Sequence, residues 1–191
     1  MSAVSAPYGF RPVKHRFGGV IRPFSLRGGI ASTYGTSIFV GDPVKMMTGG
    51  VYERAAAGDS MSAVFAGWGP PEDPGVYNKG QYWPASTAYS KAPLFYFWPI
   101  EDVIYSVQGV GSIAQTALGD ACDHALGSGN TRSGASGAYL ASGSLAGAGN
   151  SAQWKIWDLL DETGNAWGDT YTKVLVLANE INLGRVPGNA I

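Results

Sequence analysis

One cysteine, Cys122, two histidines and a charged content of 14% are all that this chain of 191 residues offers to most kinds of catalysis. A lone cysteine forms no internal disulfide, so no oxidising compartment is implied. Charge is well below the usual quarter or so, and a net charge of −1 excludes strong whole-molecule steering towards nucleic acid. No run approaches the roughly 18 apolar residues of a membrane span, and the N-terminus shows no apolar core of a signal peptide. No G-x-x-x-x-G-K-[ST] phosphate loop and no dinucleotide fingerprint occurs. Convincing amphipathic helices are missing as well.

What is present is glycine, at 28 residues, with 11 prolines, 12% aromatic residues and 45% hydrophobic residues. Short β-branched and aromatic runs bounded by Gly, Asp and Pro predict paired strands. In Ser37–Trp68, two apolar runs, Ser37–Met47 and Met61–Trp68, flank a glycine-bearing link. Pro43 lacks an N–H, so this strand should begin at Val44, bulge at Pro43 or lie at an edge. Pro93–Gln108, PLFYFWPIEDVIYSVQ, is the densest apolar run, with Pro99 as a break and Val103–Gln108 as a resumed strand; it is core or interface. Ser112–Leu126 has room for one or two helical turns. Gly127–Ala152 reads as a Gly/Ser/Ala-rich linker or loop, except that Tyr139-Leu140 marks a short paired segment. Gln153–Leu160 and Tyr171–Asn182 pair across the turn at Asp161–Asp169. The expected fold is all-β: a small barrel-like domain over 31–183, an extended N-terminal arm over 1–30 and a tail at 184–191.

The arm concentrates the charge. Arg11, Lys14, Arg16, Arg22 and Arg27 precede the first acid, Asp42, and interleave with Tyr8, Phe10, Phe17 and Phe24. Three prolines and paired glycines deny the arm regular structure of its own, so it lies on something, in cis or in trans. Its cations and aromatics predict the principal docking element, and removing 1–27 should leave a folded barrel. In Gly69–Ser86, Tyr77, Tyr82 and Trp83 belong to a rigid loop that either folds back on the core or forms a contact surface.

Two clusters have chemical potential. Asp120, Cys122, Asp123 and His124 could ligate a metal, but no second ligand group stands at zinc-site spacing, and a polar turn around a structural, inert Cys122 is the plainer reading. Asp158, Asp161 and Glu162, near Trp154, Trp157 and Trp167, suit an acid/base pair in a sugar cleft or, more plainly, a solvated turn. Neither makes an enzyme, and no cofactor is expected.

The order of several short motifs resembles the cement or decoration proteins of tailed bacteriophage heads. These are YGFRPVKHRFGG at the N-terminus, GDPV at 41–44, VFAG at 64–67 with Trp68, Tyr82-Trp83-Pro84, Ser106-Val107-Gln108, Gly119-Asp120, Gly134-Ala135-Ser136 and the closing VLVLANEIN. The resemblance spans about residues 7 to 182. It implies a β-barrel or β-tulip domain on the outer surface of the capsid, made in the host cytoplasm and bound to the major capsid protein. It also implies neighbouring copies as partners, a homotrimer first and a dimer second, with no catalytic residue, nucleic acid or membrane involved. The competing reading is a carbohydrate-binding or host-attachment module that stacks sugars on Tyr77, Tyr82, Trp83 and Trp167.

Overall fold

The computed structural model describes residues 4–70, 80–147 and 149–182. About 41% of the chain is strand and 4% helical, with a nearly closed, barrel-shaped sheet, so the all-β expectation holds.

Fourteen strands are described. A seven-stranded sheet contains β1 (Arg11–His15), β9 (Val103–Val110), β10 (Ala121–Cys122), β11 (His124–Gly127), β12 (Gly137–Ala141), β13 (Trp154–Leu159) and β14 (Lys173–Ala178). A five-stranded sheet has the order β2 (Phe24–Arg27), β8 (Leu94–Pro99), β6 (Ala63–Gly69), β4 (Pro43–Met46) and β5 (Tyr52–Arg54). A small ribbon joins β3 (Ile38–Phe39) to β7 (Tyr82–Trp83). Two apolar clusters form the core, one around Phe10, Tyr105, Trp154 and Val176 that also takes in Val64 of β6, the other around Phe65, Trp83, Phe95 and Phe97.

The apolar run at 93–108 is the spine of both sheets. β8 lies between β2 and β6 in one, and β9 lies between β14 and the strands β1 and β12 in the other. Pro99 ends β8, and a tight turn through Asp102, at φ 54°, passes the chain across. All but the last of the eight residues of β9 are buried, which is why the run is uninterrupted by polar alternation. Pro43 is the first residue of an interior strand, where a missing N–H is tolerated. The glycine-bearing link after it contains β5, an element the sequence does not announce.

The Gly/Ser/Ala-rich stretch is partly sheet: β12 pairs antiparallel with β11 and parallel with β9. Its glycines permit close approach. A Cβ on Gly127 would stand 2.3 Å from the Gly137 carbonyl oxygen, and one on Gly137 would stand 2.3 Å from that of Ser128. In Ser112–Leu126, a single 3₁₀ turn forms at Gln115–Ala117. β13 and β14 pair as expected, with consecutive Val174, Leu175 and Val176 all buried. Among the described residues no helix is long and apolar enough to cross a membrane.

The N-terminal segment is extended and lies on its own domain. It adds β1 to one sheet and β2 to the other, strapping the two together. Phe10 is fully buried, its ring stacked on Trp154 at 4.1 Å and 12°. This weighs against the expectation that removal of 1–27 leaves a folded barrel, because those residues carry two strands and a core aromatic.

Candidate functional site

Four of the short motifs meet around one buried carboxylate. Asp42 of GDPV is fully buried and accepts the Phe39 N–H at 2.9 Å and the Ser136 hydroxyl. Arg54 from β5 approaches it with Nε at 2.8 Å from Oδ2, an ion-pair contact off the hydrogen-bond direction, while Nη2 donates to Oδ1 at 3.2 Å. Burial pushes the Asp42 carboxyl up, opposed by the Arg54 guanidinium, the Phe39 N–H and the Ser136 hydroxyl. The backbone closes the same knot. Phe10 N–H donates to the Gly41 carbonyl at 2.9 Å, Gly41 N–H to Phe65, Phe65 N–H to Asp42, and Ser136 N–H to Val40. Gly9 sits at φ +76°, and a Cβ there would stand 2.5 Å from that of Ser136, so YGF crosses this turn only because its middle residue is glycine. Gln108, which ends Ser106-Val107-Gln108, holds the segment further upstream: its amide oxygen accepts Ala6 N–H at 2.8 Å and its amide nitrogen donates to Val4 at 3.2 Å. Apart from the Arg54 Nε, which makes an ion-pair contact without a hydrogen bond, these groups are satisfied by one another, so the knot is a fastening.

Cys122 is buried, and its thiol lies 3.1 Å from the Ala141 carbonyl oxygen. Burial pushes its pKa up to about 11, so it carries almost no thiolate at neutral pH. His124 is fully buried, with its Nε2–H donating to Ala55 at 2.9 Å and its Nδ1 accepting the Trp154 indole N–H at 3.3 Å. That pairing sets the neutral tautomer, and burial lowers the pKa to about 4. Among the described residues no three His, Cys, Asp or Glu side chains are placed to hold a metal ion. Around the 161–169 turn, Glu162 is taken by Lys173 Nζ at 2.9 Å, and Asp158 accepts the N–H of Leu159 at 2.8 Å. Of the nearby tryptophans, Trp154 is buried, Trp167 packs on the core and Trp157 stands out at 42% exposure.

The residues singled out for partner binding divide. Phe10 and Trp83 are core, at 0% and 2% exposure. Tyr8 and Arg11 are half-buried, and burial pushes the Tyr8 phenol up and the Arg11 guanidinium down. Tyr82 is half-buried and stacks on Phe39 at 5.0 Å. Tyr77 lies outside the described residues. Lys14, Arg16, Phe17, Arg22 and Phe24 remain at the surface, so half of the predicted set is open to a partner.

A further residue joins that exposed set. The Arg16 guanidinium carbon stands 5.2 Å from the Phe17 ring centre and 5.5 Å from that of Trp157. β13 carries a register shift between Ile156 and Asp158, so Trp157 sits at a bulge, a place where side chains are re-aimed. Arg16 N–H donates to the Asp102 carbonyl at 2.7 Å, fixing the backbone beneath the patch to the β8–β9 turn. Val13, at a matching irregularity in β1, and Val20 are exposed apolar side chains of the same segment. Trp157 has no signal in sequence as a neighbour of Arg16, since 140 positions separate them and β9 and β14 stand between their strands in the sheet.

The fold and this surface define an all-β, barrel-shaped domain with a cation held between two exposed aromatic rings. No family model, curated protein or solved structure matches the chain.

Proposed function

We propose that this chain is a structural virion protein that binds the outside of the major capsid shell and cements the head of a tailed bacteriophage. On this reading it needs no cofactor and works as a homo-oligomer, a trimer before a dimer, on the outer capsid surface. The observation that supports it most is the Arg16–Phe17–Trp157 patch. Phe17 is 73% exposed and Val20 78%, on a domain otherwise poor in charge, and exposed aromatic and Arg side chains are the groups that anchor protein interfaces. The motif order from YGF to VLVLANEIN supports the family, and repetition over many capsid sites lets a modest contact suffice. The glycan-platform reading draws no support from Trp83, whose ring is inside the core.

The test is co-sedimentation with expanded heads built from the major capsid protein of the same phage. Arg16→Glu combined with Phe17→Ser touches only exposed side chains, so folding should survive. The affinity should fall by about 30-fold or more, the size expected for an interface anchor, and more at low salt than at high. Full occupancy of heads by the folded double variant overturns the proposal. Retention on immobilised oligosaccharide with no binding to heads favours the attachment module instead.

A further inference from the structure

The hold on the N-terminal segment runs through a histidine. Among described residues 4–28, Phe10 supplies the one fully buried side chain. Its ladder to β9 is short, Arg11 to His15, and irregular at Val13. Phe10 packs face to face on Trp154 and edge-on to His124, with ring centres 6.0 Å apart. Trp154 is itself oriented by the hydrogen bond from its indole N–H to His124 Nδ1. The other ring nitrogen is committed to the Ala55 carbonyl. Neutral His124 thus has its one acceptor filled and its one donor used.

We propose that His124 is an acid-operated latch on the N-terminal segment: a proton arriving at Nδ1 turns the acceptor that orients Trp154 into a donor, and the Phe10 stack loosens. Two N–H groups then face each other in a site without water access, so the Trp154 ring must shift or the imidazole must leave. Phe10 rests on both rings and moves with either. The charged groups around His124 do not remove this conflict. Asp123 beside it and Asp59 from the loop after β5 favour the cation, whereas Arg54 from β5 opposes it. Asp59 is already paired with Lys45 at 2.9 Å, and Arg54 with Asp42. β12 brings only the uncharged Ala138 and Leu140 to this core, Lys155 of β13 is exposed, and Arg11 lies beside Tyr8. Burial is the largest influence and keeps the closed form neutral down to about pH 4, against an ordinary 6.5 once the site opens.

The sign follows from proton linkage. Between pH 6.5 and 4 the open form binds a proton that the closed form refuses, so acid favours opening, by about a hundredfold from pH 7 to pH 4. Full-length protein followed by amide hydrogen exchange, corrected for intrinsic rates, tests this directly. Protection of Gly9, Phe10, Arg11, Lys14 and His15 should fall about a hundredfold between pH 7 and 4, while β13 and β14 keep theirs. In His124→Gln, which keeps a donor towards Ala55 but does not titrate, the change in that segment should be under about fivefold. Trp154→Phe keeps an aromatic ring for Phe10 and removes the opposing donor, so its acid response should be smaller than that of the wild type. Unchanged wild-type protection at pH 4, or a loss spread evenly over all strands, overturns the latch. So does a wild-type acid response in whichever variant folds.

Discussion

Asp42 has the burial of a core leucine and the charge of a surface residue. The low dielectric around it makes the carboxylate costly on its own, and Arg54, Ser136 and the Phe39 N–H are what make it tolerable. Removing one member of such a set leaves the other stranded, because the Arg54 side chain is only 13% exposed. Asp42→Ala should therefore cost about 3–5 kcal/mol of stability, read as a lower denaturant midpoint at unchanged slope. Asp42→Asn keeps an acceptor for Phe39 and should cost less than Asp42→Ala. A loss under about 1 kcal/mol for Asp42→Ala, the scale of an exposed pair, would show that the ion pair contributes little. In the motif GDPV, glycine and proline shape the turn, and the aspartate holds distant strands to it.

At the scale of elements, the N-terminal segment is a strap and a surface at once. Its inward residues, Phe10 above all, complete the core of the seven-stranded sheet, and its outward ones, Arg16 and Phe17, form the patch with Trp157. Deleting residues 1–27 would strip β1 from β9 and β2 from β8, leaving unpaired strand edges and an open face on Trp154. That truncation is expected to yield unfolded or aggregated protein by circular dichroism and light scattering. Phe10→Ala alone should destabilise the domain by about 3–5 kcal/mol, the usual loss for a buried Phe. A soluble, β-rich truncated protein would mean that the barrel stands without its strap. The distinction matters for the proposed docking: a truncation would lose binding through folding, whereas the exposed Arg16 and Phe17 can be changed without touching the core.

For the whole molecule, low charge and exposed Val13, Phe17, Val20 and Trp157 leave an apolar surface that association would cover. Multi-angle light scattering at micromolar concentration should give an oligomer, a trimer first and a dimer second. The Arg16→Glu, Phe17→Ser variant separates two arrangements. Copies held together by this patch would fall to monomers in the variant. Copies held together elsewhere would stay assembled and lose only the shell. A monomer in solution together with isolated monomers on heads would refute the oligomer.

Local chemistry made much of this protein legible. Aromatic and β-branched runs closed by glycine and proline specify strands whatever the rest of the chain does, so β8, β9, β13 and β14 stand near where the residues place them. The burial of Cys122 and the extended strands at Arg11–His15 and Phe24–Arg27 were readable in the same way. β12 was only half legible, because a stretch of Gly, Ser and Ala carries little apolar pattern, and its strand exists through close backbone approach to β11. Which aromatic faces inward was not legible at all. Phe10 and Phe17 have the same side chain in the same segment, yet one stacks on Trp154 and the other stands in solvent. Tertiary structure alone decided that, together with the meeting of YGF, GDPV, VFAG and Gly134-Ala135-Ser136 and the placing of Trp157 against Arg16. A strand's residue types follow from its own backbone, but burial and partnership depend on strands far away in sequence, whose register becomes definite only when the sheets close.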